Sequence, residues 1–313
     1  MSSREAAPQS APFAPTGVRT GTPSVIRDLW EMAKPRLTGL VVVTTAVGYF
    51  LAFPAAKSFY LRPFFATMIG TALVSAAASV LNQWAEREHD RKMVRTGDRP
   101  LATGRLDGWA AAAYALIAGF GGLSIICIET NHIAAGIALA TLTIYVLIYT
   151  PLKRRHSLNT IVGAVPGALP PLIGWAAASG TLSPAAWSLF LIMFLWQIPH
   201  FLAIAVLYRD DYARAGYRML PVNDHESSRT GRMALLYSLA LVPVSVFPAV
   251  VGLGGPVYAV GAFLLTGWYV WSATRFERAR TRERARGLFL TSITYLPALL
   301  ILLCVDSNDV VAR

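Results

Sequence analysis

Between residues 37 and 304 the chain alternates long, uninterrupted apolar stretches with short polar ones. Nine apolar runs recur, near 37–56, 63–83, 108–128, 132–150, 159–178, 185–207, 233–253, 256–273 and 287–304, each close to the roughly 20 residues that cross a bilayer as a helix. In lipid only helices and closed barrels satisfy their own backbone, and runs of this length predict helices. The stretch 233–273 carries GLGGP in its middle, a breaker that divides it into two spans. The pattern therefore predicts an all-α, polytopic membrane protein.

Charge placement gives the orientation. Of the 28 Lys and Arg, 25 fall on the side of the N-terminus and only Lys57, Arg62 and Arg313 on the other, which predicts a cytoplasmic N-terminus and an outer C-terminus. Residues 1–30, rich in Ala, Pro, Ser and Thr, read as a disordered tail; 31–304 form the membrane domain, and 305–313 a short non-cytoplasmic tail. The tail lacks the apolar segment of a secretory signal, and prolines at 8, 12, 15 and 23 interrupt any amphipathic presequence built on Arg4, Arg19 and Arg27. The expected location is a bacterial inner membrane, with the mitochondrial inner membrane as the alternative.

Composition agrees. Hydrophobic residues make up 55% of the 313 and charged ones 14%, against about 25% charged in a soluble domain. The net charge of +11 could suggest a nucleic-acid partner, but topology already accounts for the basic residues, so the lipid bilayer is the expected partner and nucleic acid is not. The two cysteines, Cys127 and Cys304, lie in apolar stretches and suggest neither a disulfide framework nor a zinc site.

The acids are unevenly spread. Five of 17 lie between 86 and 107 and four between 210 and 226. The two loops also match each other: RTGDRPL at 95–101 and RAGYRML at 214–220 share Arg, Gly, Arg and Leu in register at an offset of 119, and each is followed by Thr-Gly-Arg. The match suggests two four-helix repeats plus a ninth helix, a layout that brings both acidic loops to a pseudo-symmetric centre.

Asn82, Glu86 and Asp90 are spaced four apart and share one helix face at the cytoplasmic end of the second run. A solvated helix end, with the acids paired to Arg87, Arg91 or Lys92, is the plain reading. The alternative is an oxygen-ligand stripe, for which Mg²⁺ with a phosphate-bearing substrate is the natural occupant. Asp210 and Asp211 could complete such a site or be neutralised by Arg209, Arg214 or Arg218. Lys153, Arg154 and Arg155 are inside-positive residues that also suit a diphosphate, as do Arg95 and Arg99. Tyr149 stands above that cluster, placed for its ring or hydroxyl to face a developing cation. His200, about two turns inside the sixth run, is either hydrogen-bonded core or a contact to substrate or iron.

NxxxExxxD, YTPLKRRHSLNT and DYxxAGYxMLPV resemble the intramembrane aromatic prenyltransferase superfamily, and KPRLT, NQWAEREHDRKMVRTGDRPL, WQIPHFLAI and DYARAGYRMLPV resemble its haem-directed, farnesyl-transferring branch. The resemblance implies nine helices around a central cavity and transfer of farnesyl from farnesyl diphosphate to a vinyl group of haem B, giving haem O for a haem A synthase. It implies that Asn82, Glu86 and Asp90 are the first metal–diphosphate motif, with Glu86 where Asp is usual, and that Asp211 belongs to the second. That motif normally pairs two aspartates four apart, and Tyr212 and Ala215 offer no partner. Lys153 and Arg154 match the diphosphate-binding pair, Tyr149 the aromatic at the cavity mouth, and Mg²⁺, or Mn²⁺ in its place, is the implied cofactor. Prenylation of a quinone or chlorophyll precursor and secondary transport are the competing functions.

Overall fold

A computed structural model describes residues 24–53 and 59–307. Most of the proposed N-terminal tail, Lys57 and the last residues including Arg313 lie outside the described residues. Among those described, the chain is helical with no strand. Nine long helical segments follow in order: α1 (Pro35–Ala52), α2 (Leu61–Asp90), α3 (Gly108–Glu129), α4 (His132–Arg155), α5 (Asn159–Ser179), α6 (Pro184–Leu207), α7 (Ser228–Val250), α8 (Pro256–Ala279) and α9 (Arg282–Asp306). Eight are long and apolar enough to cross a membrane; α8, which carries Tyr258, Trp268, Tyr269 and Trp271, falls outside that set.

The segments match the apolar runs closely, and GLGGP does separate α7 from α8. Two boundaries differ. The expected tail ends sooner, because Val25–Met32 is a helix. It buries Met32 and Asp28, Arg105 reaches Asp28 at 3.4 Å, and Gln83 donates to the Met32 carbonyl, while Ile26 and Trp30 stay exposed. At the other end α9 continues to Asp306, two residues beyond the expected limit of the membrane domain.

The repeat is visible in the elements. The first loop contains a four-residue helix, Pro100–Thr103, and the second contains another, Leu220–Asn223, at nearly the same offset as the sequence match. α2 and α3 thus stand to the first loop as α6 and α7 stand to the second.

Helix α6 packs against α5, α7 and α9, and its Leu189, Ile192, Trp196, Ile198 and Leu202 anchor the largest core cluster. Polar groups in that core are paired: Trp196 Nε1 donates to the Ser292 carbonyl at 2.8 Å, Tyr269 to the Trp196 carbonyl at 3.0 Å and Tyr258 to the Ser245 carbonyl at 2.7 Å. Outward-facing Ile117, Phe120, Ile128, Val250 and Phe263 remain exposed, as a lipid-facing wall requires.

Lipid provides little hydrophobic drive between helices, so close packing must come from small residues. At the α1–α5 crossing, a Cβ on Gly48 would run into the Pro171 carbonyl and one on Gly174 into the Thr45 carbonyl. Gly174→Val is expected to destabilise the protein by about 1–3 kcal/mol through overpacking. Gly39→Ala, where a Cβ meets nothing, should be neutral. Thermal unfolding in detergent checks both.

Candidate active site at one end of the bundle

Helix α2 runs for 30 residues without a break and carries its three polar residues to the rim on one face. Asn82, Glu86 and Asp90 are only 1%, 3% and 1% exposed. That rejects a solvated helix end. The exposed neighbours pair among themselves, Glu88 with Arg87 at 3.6 Å and with Arg91 at 3.0 Å. The buried acids instead take partners from distant segments: Lys153 Nζ lies 2.9 Å from Glu86 Oε1, and Arg99 Nη1 donates to Asp90 Oδ2 at 2.7 Å.

Each partner is placed by a local device. After Asp90 the chain turns back on itself, with the Met93 amide and the Thr96 hydroxyl both donating to the Asp90 carbonyl. Arg99 sits in extended geometry before Pro100, as a pre-proline residue must, and directs its guanidinium at Asp90. Lys153 depends on a π-helical stretch, Ile144–Tyr149, inside α4. Pro151 lacks an amide proton, so the normal ladder cannot continue through it, and the wider turn absorbs the defect. The Thr150 hydroxyl donates to the Tyr145 carbonyl at 2.8 Å and accepts from Asn82 Nδ2 at 3.0 Å, which ties the widened turn to the acid-bearing face of α2. Tyr149 and Lys153 consequently share a face, with the ammonium 4.6 Å from the ring centre, and the ring occupies the space that Gly163 leaves open.

The second loop packs onto the first. Met93 clusters with Ala205, Ala215, Tyr217 and Met219, and the Arg95 guanidinium lies 5.3 Å from the Tyr208 ring and 6.0 Å from that of Tyr212. The Arg218 amide donates to the Lys153 carbonyl at 2.9 Å and Asn159 Nδ2 donates to the Arg218 carbonyl, strapping this loop to the end of α4. Arg209 organises the rest through the carbonyls of Pro221, Asp224 and His225.

Not every expected site residue joins the cluster. Asp211 sits on this second loop and is bound by Arg214, while Asp210 is exposed. Among the described residues no three acids, histidines or cysteines converge as a ready-made metal cage. Arg154 is exposed and Arg95 engages rings, not carboxylates. His200 lies elsewhere, stacked on Trp196 at 5.1 Å with Nδ1 2.7 Å from Ser292 Oγ.

Two residues escaped the sequence reading. Lys34, counted only for topology, sits before Pro35 with left-handed backbone (φ 48°), a strained geometry for a pre-proline lysine. It is half-buried, and desolvation of its ammonium, followed by repulsion from Arg99 and Lys153, lowers its pKa to about 7 despite Glu86 and Asp90. Its signal was the Lys-Pro step at a membrane boundary. Tyr217, 3% exposed, stood in the loop repeat at the position matching Asp98.

The donor set suits a hard divalent cation. Asp90 gives one oxygen to Arg99 and leaves Oδ1 buried without a hydrogen bond, and Asn82 Oδ1 receives none among the described residues. Mg²⁺ needs no all-protein cage, since it keeps waters and substrate phosphates as ligands. Lys34, Arg99 and Lys153 around the same spot supply anion-binding charge.

The UbiA prenyltransferase family model matches residues 41–294. This chain belongs to the UbiA prenyltransferase family. It is 45% identical over 288 residues to a protoheme IX farnesyltransferase of Solibacter usitatus, spanning 90% of this chain and 99% of that protein. A mitochondrial protoheme IX farnesyltransferase of Arabidopsis thaliana is 42% identical over 286 residues, 90% of this chain and 66% of that one. Among solved structures, a digeranylgeranylglyceryl phosphate synthase superposes with a TM-score of 0.77 at 15% identity, covering 91% of this chain and 99% of that one. A UbiA homologue from Archaeoglobus fulgidus bound to GPP and Mg²⁺ gives 0.63 at 14%, covering 88% and 99%. These low-identity matches establish the shared fold.

The lowered pKa of Lys34 has a signed consequence. Between about pH 7 and 10.5 the unfolded chain holds a proton on this amine that the folded chain does not, so Lys34 makes stability rise with pH across that window. In Lys34→Met the rise should flatten relative to the parent, read as melting temperature in detergent from pH 7 to 10. Parallel profiles would exclude the buried amine.

Proposed function

We propose that the chain transfers the farnesyl group of farnesyl diphosphate to a vinyl group of haem B, forming haem O, which a haem A synthase would then accept. The buried pairs Glu86–Lys153 and Asp90–Arg99, with Lys34 beside them, carry the diphosphate part of this reading. The choice of haem rests on relatives named protoheme IX farnesyltransferases, which match about nine-tenths of this chain. The nine helices would span the bilayer with the N-terminus in the cytoplasm, in a bacterial inner membrane, leaving the site at the inner face.

In the reaction the allylic C–O bond breaks and its electron pair passes to the diphosphate. Lys153, Arg99 and Lys34 stabilise the charge that develops there, in surroundings where each is worth more than in water. Asn82 and Asp90, with Asp211 from the other loop, would hold Mg²⁺ or Mn²⁺, which supplies Lewis-acid polarisation of the phosphate oxygens, while the exposed Asp210 is left out of that set. Arg95 and Arg154 lie at the rim as further cations for the incoming anion. Tyr149 and Tyr145, their ring centres 5.3 Å apart and adjoining Lys153, offer π faces to the allylic cation, and the apolar interior keeps water from it. The vinyl carbon attacks the farnesyl carbon; water then adds its hydroxyl to the porphyrin-side cation and releases a proton.

His200 is the candidate haem contact. Ser292 spends its only hydroxyl proton on the Phe289 carbonyl at 2.6 Å, so the contact with His200 has Nδ1–H donating and leaves the Nε2 lone pair free.

Purified protein given haem B and farnesyl diphosphate should form a pigment whose mass has increased by one farnesyl group plus one hydroxyl. Product only with 4-hydroxybenzoate would replace this reading by quinone-precursor prenylation. Asp90→Asn should lower turnover by at least about 100-fold with haem binding retained, and EDTA should abolish turnover until Mg²⁺ is restored. Full activity in either case would remove the proposed role.

A further inference from the structure

Tyr217 is a buried phenol that the proposed reaction has not yet used. Its ring is held on several sides: His89 at 5.7 Å, Tyr212 edge-on at 6.0 Å, and the Lys153 ammonium 5.9 Å from the ring centre. The backbone on both sides is fixed, the Tyr217 amide donating to the Tyr212 carbonyl and the next amide to the Lys153 carbonyl. At the end of this clamped ring the hydroxyl is buried and makes no hydrogen bond among the described residues.

An unpaired buried hydroxyl is costly, and native proteins keep few of them without a reason. The groups acting on this one are Glu86, Lys153 and Asp90, the members of the charged site itself. Lys153 has only protons to offer; Glu86 is the competing acceptor, but it is already paired to Lys153 as Asp90 is to Arg99, and neither carboxylate accepts from the phenol at hydrogen-bond distance. A ligand rich in acceptor oxygens would satisfy the phenol. Burial and the nearby Glu86 also push its pKa upward, so it stays a neutral donor at every working pH.

We propose that Tyr217 is a further catalytic residue of the second loop, donating its phenolic hydrogen bond to an oxygen of the prenyl diphosphate. This rests on the diphosphate reading of the site. As the C–O bond breaks and its electron pair moves onto the diphosphate, the acceptor becomes more negative and the hydrogen bond strengthens, while the proton remains on the tyrosine. The loop then contributes to chemistry through a phenol as well as through Asp211, which bears on why it lacks the second aspartate of the usual motif.

Tyr217→Phe tests this, because the ring and its packing remain and only the unpaired oxygen is lost. Using the purified full chain in detergent with inorganic pyrophosphate and Mg²⁺ as the probe, the parent should bind and gain thermal stability. The variant should melt no lower than the parent without ligand, yet bind magnesium pyrophosphate about tenfold more weakly and lose about 10- to 100-fold in kcat, with a smaller change in KM for farnesyl diphosphate. Unchanged pyrophosphate affinity and kcat would overturn the role of Tyr217 while leaving the diphosphate site standing. A lower melting temperature of the unliganded variant would mark the hydroxyl as structural and overturn it too. Failure of the parent itself to bind magnesium pyrophosphate would overturn the diphosphate reading, and this inference with it.

Discussion

Two carboxylates buried at the end of a membrane helix set the terms for the rest of this molecule. An ionised acid out of water is tolerated only when a cation and further hydrogen bonds compensate it, and removing one partner of such a pair typically costs about 3–5 kcal/mol. Glu86 and Asp90 find no such partner on their own helix, where Arg87 and Arg91 are drawn outward to Glu88. Their compensation comes from Lys153, 67 residues away, and from Arg99 across a tight turn. The fold of this rim follows from making those two meetings possible.

One meeting needs an irregular helix. Pro151 breaks the regular ladder of α4, the helix that carries Lys153 to Glu86, so six residues adopt the wider π-turn and Thr150 fastens it to Asn82. Asn82 therefore has two uses: its amide nitrogen positions the cationic helix and its oxygen stays free for a ligand. The second loop closes the arrangement from above, because its backbone accepts and donates directly at Lys153 and Asn159. Below the rim, Tyr269 of α8 stacks on Tyr295 of α9 with ring centres 5.1 Å apart, and the glycine crossing brings α1 and α5 into close contact.

The fold was legible because lipid enforces it: a helix must be long and apolar to cross, and a break such as GLGGP must be a turn. The face of α2 was legible for a similarly simple reason, since a spacing of four in a helix leaves no freedom. What the sequence could not show was who pairs with whom. Arg87 and Arg91 are nearer to Glu86 and Asp90 in the chain than Lys153 and Arg99 are, yet helical geometry turns them to another face. Lys34 was hidden by its ordinary role among topology residues, and Tyr217 because a tyrosine in a polar loop carries no pattern until packing buries it. Asp210 and Arg154 show the converse. Both have the right chemistry in the right segment and are still exposed, Asp210 on the helix Arg209–Arg214 and Arg154 in the last turn of α4, because one step along a helix turns a side chain about 100° from its neighbour.

Charge arithmetic links these findings to the chemistry. The nest contains two acids and three bases, Lys34, Arg99 and Lys153, and burial, reinforced by the crowding of those bases, depresses Lys34 towards neutrality. A site so balanced has little field to spare for a neutral ligand. The diphosphate proposed for this site, carried with a divalent cation, would be negative at its outer oxygens and would favour the protonated lysine, drawing a proton onto Lys34 on binding. The site would thereby become most cationic only when the leaving group is in place. Catalysis by ionisation needs positive charge beside the breaking bond and as little as possible beside the bare carbocation; a base whose proton accompanies the diphosphate meets both demands.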